Sequence, residues 1–512
     1  MVPYLTMTPS IRARSVAALL GAFVLAATLV PATSLGPGPL SAPAVRAADP
    51  GLIPRVEGIR TLSHQVFGYL PYWRLDSTTA GQLRYELLST IGIFGIGIKN
   101  TGDLDTSWIG YKEYVGDDAA AVTNAAHEAG VRVVPTFQLF DSGSLPKLKA
   151  FLGSTAAQDL FIAQAIALMQ RRLADGASLD FEPMPREQTP QYLAFVQRFA
   201  DAMRAAIPGA TLVDATSAGA PWELIKGLAK IVDHMFVMTY NYRWSGSKIA
   251  GAVAPLDNAT RNVRIHIERF LSNAPANKII MGVPYYGYDW PVTSNTPNAT
   301  VQADTEKYGG VNSISYKGAR DFLAEHTHVK RQYDAVEGSA FFTYESASGT
   351  WRQAYYDDEQ SLAAKYDFAL TQGLAGVGMW TLQNDRGYNE LWDLLRSKFY
   401  APVHALLPSG RVGSLTKRGS LVTANVLTRV ANVGTVPERG TLRWGIKDSR
   451  GRWFLKGSRT VELMPGKSSV AYVKTTFGRS YSLPAGTYSL VVRFQNRNGL
   501  WSSRIYTFRQ PY

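Results

Sequence analysis

The chain has 512 residues, of which 46% are hydrophobic and 18% are charged, so it is long enough for two or three domains with ordinary hydrophobic cores. It contains no cysteine, which excludes disulfide scaffolds, thiolate metal sites and cysteine nucleophiles. The net charge of +13 is unevenly distributed, because residues 403–512 hold 18 basic and 3 acidic residues, whereas residues 49–402 hold 32 basic and 37 acidic ones. We therefore expect two modules with different partners.

The N-terminus has the pattern of an export signal. Arg12 and Arg14 precede an apolar run at Val16–Val30, and small residues follow up to Ala48. The run is shorter than the roughly 20 residues that a membrane span needs. We predict a signal peptide over residues 1–48 and a secreted protein that is extracellular or associated with the cell wall. An uncleaved membrane anchor is the alternative.

From residue 66 onward, eight short apolar segments alternate with amphipathic ones. Unbroken apolar runs are typical of strands buried on both faces, and strands that alternate with helices form parallel βαβ units. Eight units predict an α/β fold, a (β/α)8 TIM barrel, with a doubly wound sheet as the alternative. The predicted strands are Val66–Leu70, Ile91–Ile98, Arg132–Gln138, Ala177–Glu182, Thr211–Ser217, His234–Asn241, Lys278–Tyr286 and Gly376–Leu382.

The gap between the seventh and eighth predicted strands is too long for one helix. We predict a small α+β insertion there, at residues 291–350, with a helix at Tyr316–Glu325 and a strand at Ala340–Tyr344. Elsewhere the apolar periodicity predicts helices at Ala156–Ala174, from Thr189 onward, and from an N-cap at Asn258 to Leu271.

After Tyr400 the hydrophobic period changes from helical to alternating. Tyr488, Leu490, Val492 and Phe494 alternate with polar residues, which predicts a strand with one buried face. About 110 residues of this kind indicate an antiparallel β-sandwich. We therefore predict a barrel domain at residues 60–400 and a basic β-sandwich accessory domain at residues 402–512.

The fourth predicted strand carries two acids. Side chains alternate along a strand, so Ser178, Asp180 and Glu182 share one face, and in a barrel Glu182 lies at the C-terminal mouth. Two acids buried together raise each other's pKa, which suits a general acid. A solvated pair on an edge strand is the alternative interpretation.

These residues carry a resemblance to glycoside hydrolase family 18, the chitinase-like enzymes. The segment from Asp175 to Glu182 is similar to the family's D-x-x-D-x-D-x-E signature, and four other segments resemble family strands in the expected order. Those four are Phe67–Trp73, Met238–Tyr242, Gly282–Trp290 and Gly376–Trp380. The similarity is nearest to the branch that acts on bacterial spore or cell-wall glycans, and it covers about residues 60–400.

The resemblance implies a site and a substrate-assisted mechanism. Glu182 would be the general acid, Asp180 would orient the substrate's 2-acetamido group, and Tyr240 would hydrogen-bond to that group. Trp380 would form the floor for a sugar ring. The further substrate-binding candidates are Tyr69, Trp73, Asn241 and Tyr286. No metal or cofactor is implied. Tyr240 and Trp380 could instead be core residues, and Tyr69 and Trp73 could form a packing cluster.

Two positions depart from the family pattern. Ser178 replaces the middle aspartate of the signature, and Asn241 replaces the aspartate that usually follows the tyrosine. The implied function is a retaining hydrolase of β-1,4 linkages beside N-acetylglucosamine, in chitin-type or peptidoglycan-type glycans. The alternative is a non-catalytic, lectin-like protein on the same barrel. We expect a monomer whose C-terminal domain contacts anionic cell-wall polymer, and no nucleic-acid partner.

Overall fold

We describe a computed structural model of the chain. It describes residues 48–56, 62–257, 260–303, 305–400, 406–418, 421–432, 438–463, 468–477, 486–496 and 501–510. Residues 1–47 of the predicted signal peptide and the predicted helix cap Asn258 lie outside the described residues.

The described part of the chain contains strands and helices that we number in chain order. The strands are β1 (Gln65–Pro71), β2 (Thr90–Gly97), β3 (Arg132–Phe140), β4 (Gly176–Glu182), β5 (Thr211–Ser217), β6 (His234–Met238), β7 (Ile279–Pro284), β8 (Tyr286–Pro291), β9 (Asn312–Ser315), β10 (Gln332–Asp334), β11 (Ser339–Glu345), β12 (Trp351–Tyr356), β13 (Gly376–Trp380), β14 (Leu406–Arg418), β15 (Leu421–Asn432), β16 (Glu438–Asp448), β17 (Trp453–Leu463), β18 (Ser468–Phe477), β19 (Gly486–Asn496) and β20 (Trp501–Gln510). The helices are α1 (Thr79–Gln82), α2 (Ile109–Val115), α3 (Asp117–Glu128), α4 (Pro146–Leu152), α5 (Thr155–Arg171), α6 (Thr189–Ala206), α7 (Trp222–Ile231), α8 (Val263–Leu271), α9 (Thr305–Tyr308), α10 (Tyr316–Glu325), α11 (Glu359–Thr371) and α12 (Glu390–Phe399).

Eight parallel strands close into a barrel in the order β1-β13-β7-β6-β5-β4-β3-β2, which confirms the predicted fold class. The barrel closes because its strands are apolar on both faces. On β4, for example, Leu179 and Phe181 belong to the layer between sheet and helices. The barrel interior is filled by a separate cluster, Phe67, Tyr69, Phe94, Val134, Val213, Ala215, Phe236 and Ile280.

The predicted strands overlap all eight barrel strands, but four of them were predicted too long at the C-terminal end. The second is too long by one residue, since β2 ends at Gly97 rather than Ile98. β6 ends at Met238 rather than Asn241, because Asn241 adopts a left-handed φ of 60° that a strand does not accommodate. β7 ends at Pro284, and Tyr286 begins β8, which pairs with a different sheet. β13 ends at Trp380 rather than Leu382.

Helices cover the outside of the barrel. The rings of Phe195 and Phe199 of α6 pack at a tilt against Phe161 of α5, and the ring centroid of Phe137 of β3 lies 5.3 Å from that of Phe161. Within the described residues, no single helix is both long and apolar enough to cross a membrane. Helices α4 and α5 reach that length and composition only when they are taken together, and they meet at an angle of 87°.

The insertion between the seventh and eighth barrel strands is an antiparallel sheet with helices. Its strand order is β10-β11-β12-β8-β9, and it spans residues 286–356, so the predicted bounds of 291–350 were too narrow. The predicted helix Tyr316–Glu325 coincides with α10, and the predicted strand lies within β11. The error at the start arises because β7 and β8 are separated by a single residue, Tyr285.

The C-terminal region forms two antiparallel sheets, β14-β15-β18 and β17-β16-β19-β20. Tyr488, Leu490, Val492 and Phe494 are buried, as the alternating pattern of β19 predicts. A side chain at Gly410 of β14 would lie 2.8 Å from a methyl group of Val492, so the two sheets pack face to face there. This is the arrangement of the predicted sandwich.

The N-cap of α8 is Asn262, four residues after the predicted Asn258. The side-chain oxygen of Asn262 accepts a hydrogen bond of 2.9 Å from the backbone N–H of Ile265. We expect Asn262→Ala to lower the free energy of unfolding by about 1 kcal/mol, because a backbone donor of the first turn loses its partner. Chemical denaturation of the Ala and Asp variants measures this. Asn262→Asp keeps an acceptor, and an equal loss in both variants would contradict the capping role.

Candidate active site

The centre of the candidate site is the pair of acids on β4. Asp180 is 4% exposed, and Glu182 is partly exposed at the last position of the strand. The pleat sends Ser178, Asp180 and Glu182 to the side opposite Leu179 and Phe181. Since those two pack against the helices, the acids point into the barrel, and Glu182 lies at the C-terminal mouth.

Tyr69 and Ser178 form the floor of the site inside the barrel, where their hydroxyls are hydrogen-bonded to each other. The Tyr69 hydroxyl and the Ser178 hydroxyl lie 2.9 Å apart. Tyr69 is only 1% exposed, because the rings of Phe67, Phe236 and Trp380 surround it. Tyr69 therefore lies inside the barrel, below the acids, and its place among the substrate-binding candidates stays a prediction.

Burial dominates the electrostatics of the acids. It raises the pKa of Asp180 well above its usual range, and the neighbouring charges of Glu182 and then Asp214 raise it further. Burial also raises the pKa of Glu182. The site therefore favours keeping a proton on the pair at pH values where an exposed carboxylic acid would have lost it.

Asp214 is an acid that the sequence analysis did not select. It lies buried on β5, where it accepts hydrogen bonds of 2.6 Å from the hydroxyls of Tyr192 and Thr216. Burial raises the pKa of Asp214 to about 6, against the lowering effect of these two hydrogen bonds. The available signal in the sequence was the single acid in the predicted strand Thr211–Ser217, which can equally indicate a core residue whose hydrogen bonds are satisfied.

Tyr240 follows β6 and faces the acids. Burial raises the pKa of its hydroxyl well above the usual range, and the nearby Tyr286, Tyr69 and Asp180 contribute to that increase. The hydrogen bonds among the described residues do not involve the Tyr240 hydroxyl, which leaves it available to a ligand. The ring of Tyr286 lies 6.2 Å from that of Tyr240.

Asn241 and Tyr286 form a hydrogen bond with each other beside Tyr240. The side-chain oxygen of Asn241 accepts from the hydroxyl of Tyr286 at 2.6 Å and from that of Tyr288 at 3.2 Å. An aspartate at position 241 could accept the same two hydrogen bonds, so the amide keeps the geometry and removes a charge. Both candidate residues therefore lie in the site wall beside Tyr240.

Aromatic rings line the mouth above the acids. Trp380, the last residue of β13, is half-buried, and its ring lies 4.8 Å from Phe94 and 6.5 Å from Trp73. Trp73 is 49% exposed. Trp108, which the sequence analysis did not select, is 42% exposed, and Tyr72 connects it to Trp73 through ring contacts. The rings form a partly exposed apolar surface of the kind on which sugar faces stack.

Gln138 is a second site residue that sequence reasoning missed. It lies on β3 in register with Asp180, so its side chain enters the barrel beside that acid. Among the described residues, three buried polar atoms of the barrel interior have no hydrogen-bond partner: Thr136 Oγ1, Gln138 Oε1 and Asp180 Oδ1. Buried polar groups are normally paired, so these atoms fit a site that a polar ligand completes. The sequence did contain a signal for this part of the site, since two polar residues, Thr136 and Gln138, lie two positions apart in a mostly apolar strand.

Residues 140–385, which include the acids on β4, Tyr240 and Trp380, match the family model described as Glycosyl hydrolases family 18. The resemblance to glycoside hydrolase family 18 noted in the sequence is confirmed over these residues of the barrel. The chain is a glycoside hydrolase.

Relatives and solved structures agree with this family 18 assignment. YdhD of Bacillus subtilis (strain 168), which is named as a sporulation-specific glycosylase, is 25% identical over 359 residues, or 66% of this chain and 78% of that protein. Di-N-acetylchitobiase of Mus musculus is 26% identical, over 56% of this chain and 80% of that protein. The fold matches a GH18 chitinase from Cycas revoluta in complex with (GlcNAc)3, with a TM-score of 0.56 and 20% identity, over 65% of this chain and 99% of that one.

The raised pKa of Asp180 predicts a pH-dependent cost in stability. The folded protein holds the proton more tightly than the unfolded chain, so stability falls as the pH rises above the ordinary value of 3.8. Asparagine has no charge to bury. We expect Asp180→Asn to raise the melting temperature at about pH 8, with a gain that shrinks as the pH falls toward 3.8 and is absent below it.

Thermal denaturation across pH measures this effect. The exposed Asp201 of α6 provides the matched control, since Asp201→Asn makes the same chemical change outside the barrel. A pH-independent gain in Asp180→Asn, or an equal gain in the control, would contradict the buried charge.

Proposed function

We propose that this family 18 enzyme is an exported, retaining glycosidase that cleaves β-1,4 linkages next to N-acetylglucosamine in chitin-type or peptidoglycan-type glycans. The observation that carries the proposal is the buried pair of acids, Asp180 and Glu182, beside the Tyr240 hydroxyl. We also propose the division of labour expected from the sequence: a signal peptide at residues 1–48, a catalytic domain at residues 60–400 and an accessory domain at residues 402–512.

In the first step, Glu182 donates its proton to the glycosidic oxygen as the bond from that oxygen to the anomeric carbon breaks. The carbonyl oxygen of the substrate's 2-acetamido group attacks the anomeric carbon from the other face and forms a cyclic oxazolinium ion. Asp180 accepts a hydrogen bond from the acetamido N–H and balances the positive charge. The raised pKa of Glu182 supports this role, because the residue must be protonated at the start.

In the second step, the Glu182 carboxylate accepts a proton from a water molecule. The water oxygen bonds to the anomeric carbon, and the bond from that carbon to the acetamido oxygen breaks. Two inversions give net retention, and Glu182 is again protonated. This family is a known exception to the rule that a protein carboxylate is the nucleophile, because the substrate assists.

The unpartnered polar atoms of the barrel interior support a binding site for the acetamido group. Asp180 Oδ1 has no hydrogen-bond partner in the described structure, and Gln138 Oε1 beside it is also unpaired. The Tyr240 hydroxyl can donate to the acetamido oxygen. An amide substituent offers one donor and one acceptor, which matches this set of groups.

The aromatic mouth supports a sugar substrate rather than a small polar one. Trp380 would contact the ring at the point of cleavage, and the exposed Trp73 and Trp108 would contact further rings of a chain. The names of the relatives point the same way, since they include chitobiases and, among solved structures of similar fold, a spore cortex-lytic enzyme of Bacillus cereus with a TM-score of 0.54.

The first test concerns Glu182. Glu182→Gln keeps the shape of the side chain but cannot deliver a proton, so we expect kcat to fall by roughly 10²–10⁴-fold. Binding of an N-acetylglucosamine oligomer, measured by calorimetry, should be largely kept. The control is Glu187→Gln, which changes an exposed acid shortly after the same strand and should leave kcat unchanged. Wild-type turnover in Glu182→Gln would contradict the role of Glu182 as general acid, whereas a wild-type protein that binds the oligomer without hydrolysing it would favour the lectin-like alternative.

The second test concerns the nucleophile. If the 2-acetamido group attacks, then fully deacetylated oligomers of the same length should not be hydrolysed, although they keep every glycosidic bond. Product analysis by mass spectrometry on acetylated and deacetylated oligomers checks this. A stable thiazoline analogue of the cyclic ion should inhibit, since analogues of high-energy species bind more tightly than substrate. A sugar trapped covalently on Asp180 or Glu182 would overturn the mechanism.

A further inference from the structure

An arginine lies at the rim of the aromatic mouth, directly after the exposed Trp73. Arg74 ends a short 3-10 helix, Tyr72–Arg74, that leaves the C-terminal end of β1. Its guanidinium donates a hydrogen bond of 3.0 Å to the side-chain oxygen of Asn384, in the loop that follows β13. β1 and β13 are adjacent in the barrel, and the rings of Trp73 and Trp380 lie 6.5 Å apart. Arg74 therefore bridges two loops of the same mouth that the aromatic rings line.

The charge of Arg74 has no counter-charge among the described residues. Its hydrogen-bond partner there is the neutral amide of Asn384, and its Nε atom is buried without a partner. The acid of the same loop, Asp76, instead binds Arg386 at 2.6 Å. Burial, and then the like charge of Arg386, lowers the pKa of Arg74. A half-buried cation without an opposite charge is unfavourable, so its surroundings are complementary to an anion from outside the protein.

Other cations of the mouth differ from Arg74 in this respect. Arg186, shortly after β4, lies 2.9 Å from a carboxylate oxygen of Glu223. Lys99, shortly after β2, lies 3.6 Å from a carboxylate oxygen of Asp105. An acid of the protein already offsets each of these charges, whereas an anion that reaches Arg74 would be the first to do so.

The chemistry of the guanidinium favours a carboxylate as that anion. The group carries five N–H donors in a planar fork that matches the two oxygens of a carboxylate. Arg74 lies at the rim, whereas Asp180 and Glu182 lie on β4 inside the barrel. The carboxylate would therefore belong to a sugar on the Trp73 side of the bond that is cleaved. Of the two glycan classes in the proposed function, the peptidoglycan type has such a group, on the lactyl ether of its muramic acid units.

We propose that Arg74 binds a carboxylate carried by a sugar of the glycan chain and thereby selects peptidoglycan-type over chitin-type substrates. This inference rests on the proposed function, since it assigns a specificity-determining residue to the same site. Arg74 does not take part in proton transfer. Its effect is on kcat/KM for charged compared with neutral glycans.

The test compares substrates that differ in one charge per repeat. The first is a peptide-free strand of alternating N-acetylglucosamine and N-acetylmuramic acid, and the second is the same strand with each carboxylate converted to a methylamide. We expect wild-type kcat/KM to be about tenfold higher for the carboxylate strand, which is the value of one good charge-assisted hydrogen bond. An N-acetylglucosamine oligomer of the same length provides the chitin-type substrate.

Four variants test the assignment through the ratio of kcat/KM for the two strands. Arg74→Gln should lower the ratio to about one, and Arg74→Lys should keep part of it, because lysine retains the charge without the planar fork. Asn384→Asp should also lower the ratio, because the new carboxylate would neutralise Arg74 from within the protein. The matched control is Arg186→Gln, which removes an arginine of the mouth that Glu223 already balances, and it should keep the wild-type ratio.

Melting curves separate a binding role from a structural one. Asn384→Asp supplies the missing counter-charge, so its melting temperature should be equal to or higher than that of the wild type although its substrate preference is lost. If Arg74 only held the two loops together, Asn384→Asp would keep the wild-type ratio. This variant also carries the test if Arg74→Gln does not fold.

Binding measurements distinguish failure of this inference from failure of the proposed function. Calorimetry with Glu182→Gln measures the affinity for both strands without turnover, and we expect the same preference of about tenfold. Absence of hydrolysis of all three glycans by the wild type would contradict the proposed function, whereas a preference in binding would still support the role of Arg74. Equal affinity and equal kcat/KM for the two strands, a wild-type ratio in Arg74→Gln or Asn384→Asp, or an equal loss in Arg186→Gln would overturn the inference.

Discussion

The barrel is organised around the burial of two like-charged groups on one strand. Asp180 and Glu182 are two residues apart on β4 and point to the same side, where ionising one opposes ionising the other. An isolated carboxylate is costly to bury, so the environment can hold these two only if a proton remains on the pair. Aromatic rings of the barrel interior, among them Phe67, Tyr69 and Phe236, supply part of that environment.

The neutral floor beneath the pair follows from the same constraint. Ser178 replaces an acid that the family usually has, and the hydroxyl of Tyr69 lies at hydrogen-bond distance from it. The strand therefore carries two interior acids instead of three. Asp214 on the next strand adds a negative charge that raises the pKa of Asp180, and Asp214 itself accepts hydrogen bonds from Tyr192 and Thr216. Although Ser178 is neutral, the negative charges of Glu182 and Asp214 still raise the pKa of Asp180.

The barrel could be predicted from the sequence because most of its strands are short apolar runs, which indicate strands buried on both faces. A run such as that of β3 or β5 is buried on both faces, and only a parallel sheet covered by helices satisfies it. The acids of β4 could also be recognised, since charged residues interrupt a run that is otherwise apolar. The ends of the strands could not be predicted as well. Asn241, for example, has a left-handed backbone conformation that its residue type alone does not reveal.

The position of Gln138 in the site could not be predicted from the sequence. Its role depends on the register between β3 and β4, which places it beside Asp180, and register is a property of the closed barrel rather than of either strand. Asn258 failed as a helix cap for a related reason, since several residues of suitable type precede α8 and only the hydrogen bond to Ile265 selects Asn262.

The short connection between β7 and β8 has a consequence for how the insertion behaves. Only Tyr285 separates a barrel strand from the insertion sheet, and the hydroxyls of Tyr286 and Tyr288 on that sheet hold the side chain that follows Tyr240. The insertion is thus an extension of the barrel wall and not an independent cover. Exchanging the insertion for the corresponding segment of another family member would alter the hydrogen bonds that hold Asn241 beside Tyr240. Such an exchange would therefore change the substrate range and the catalytic rate at the same time.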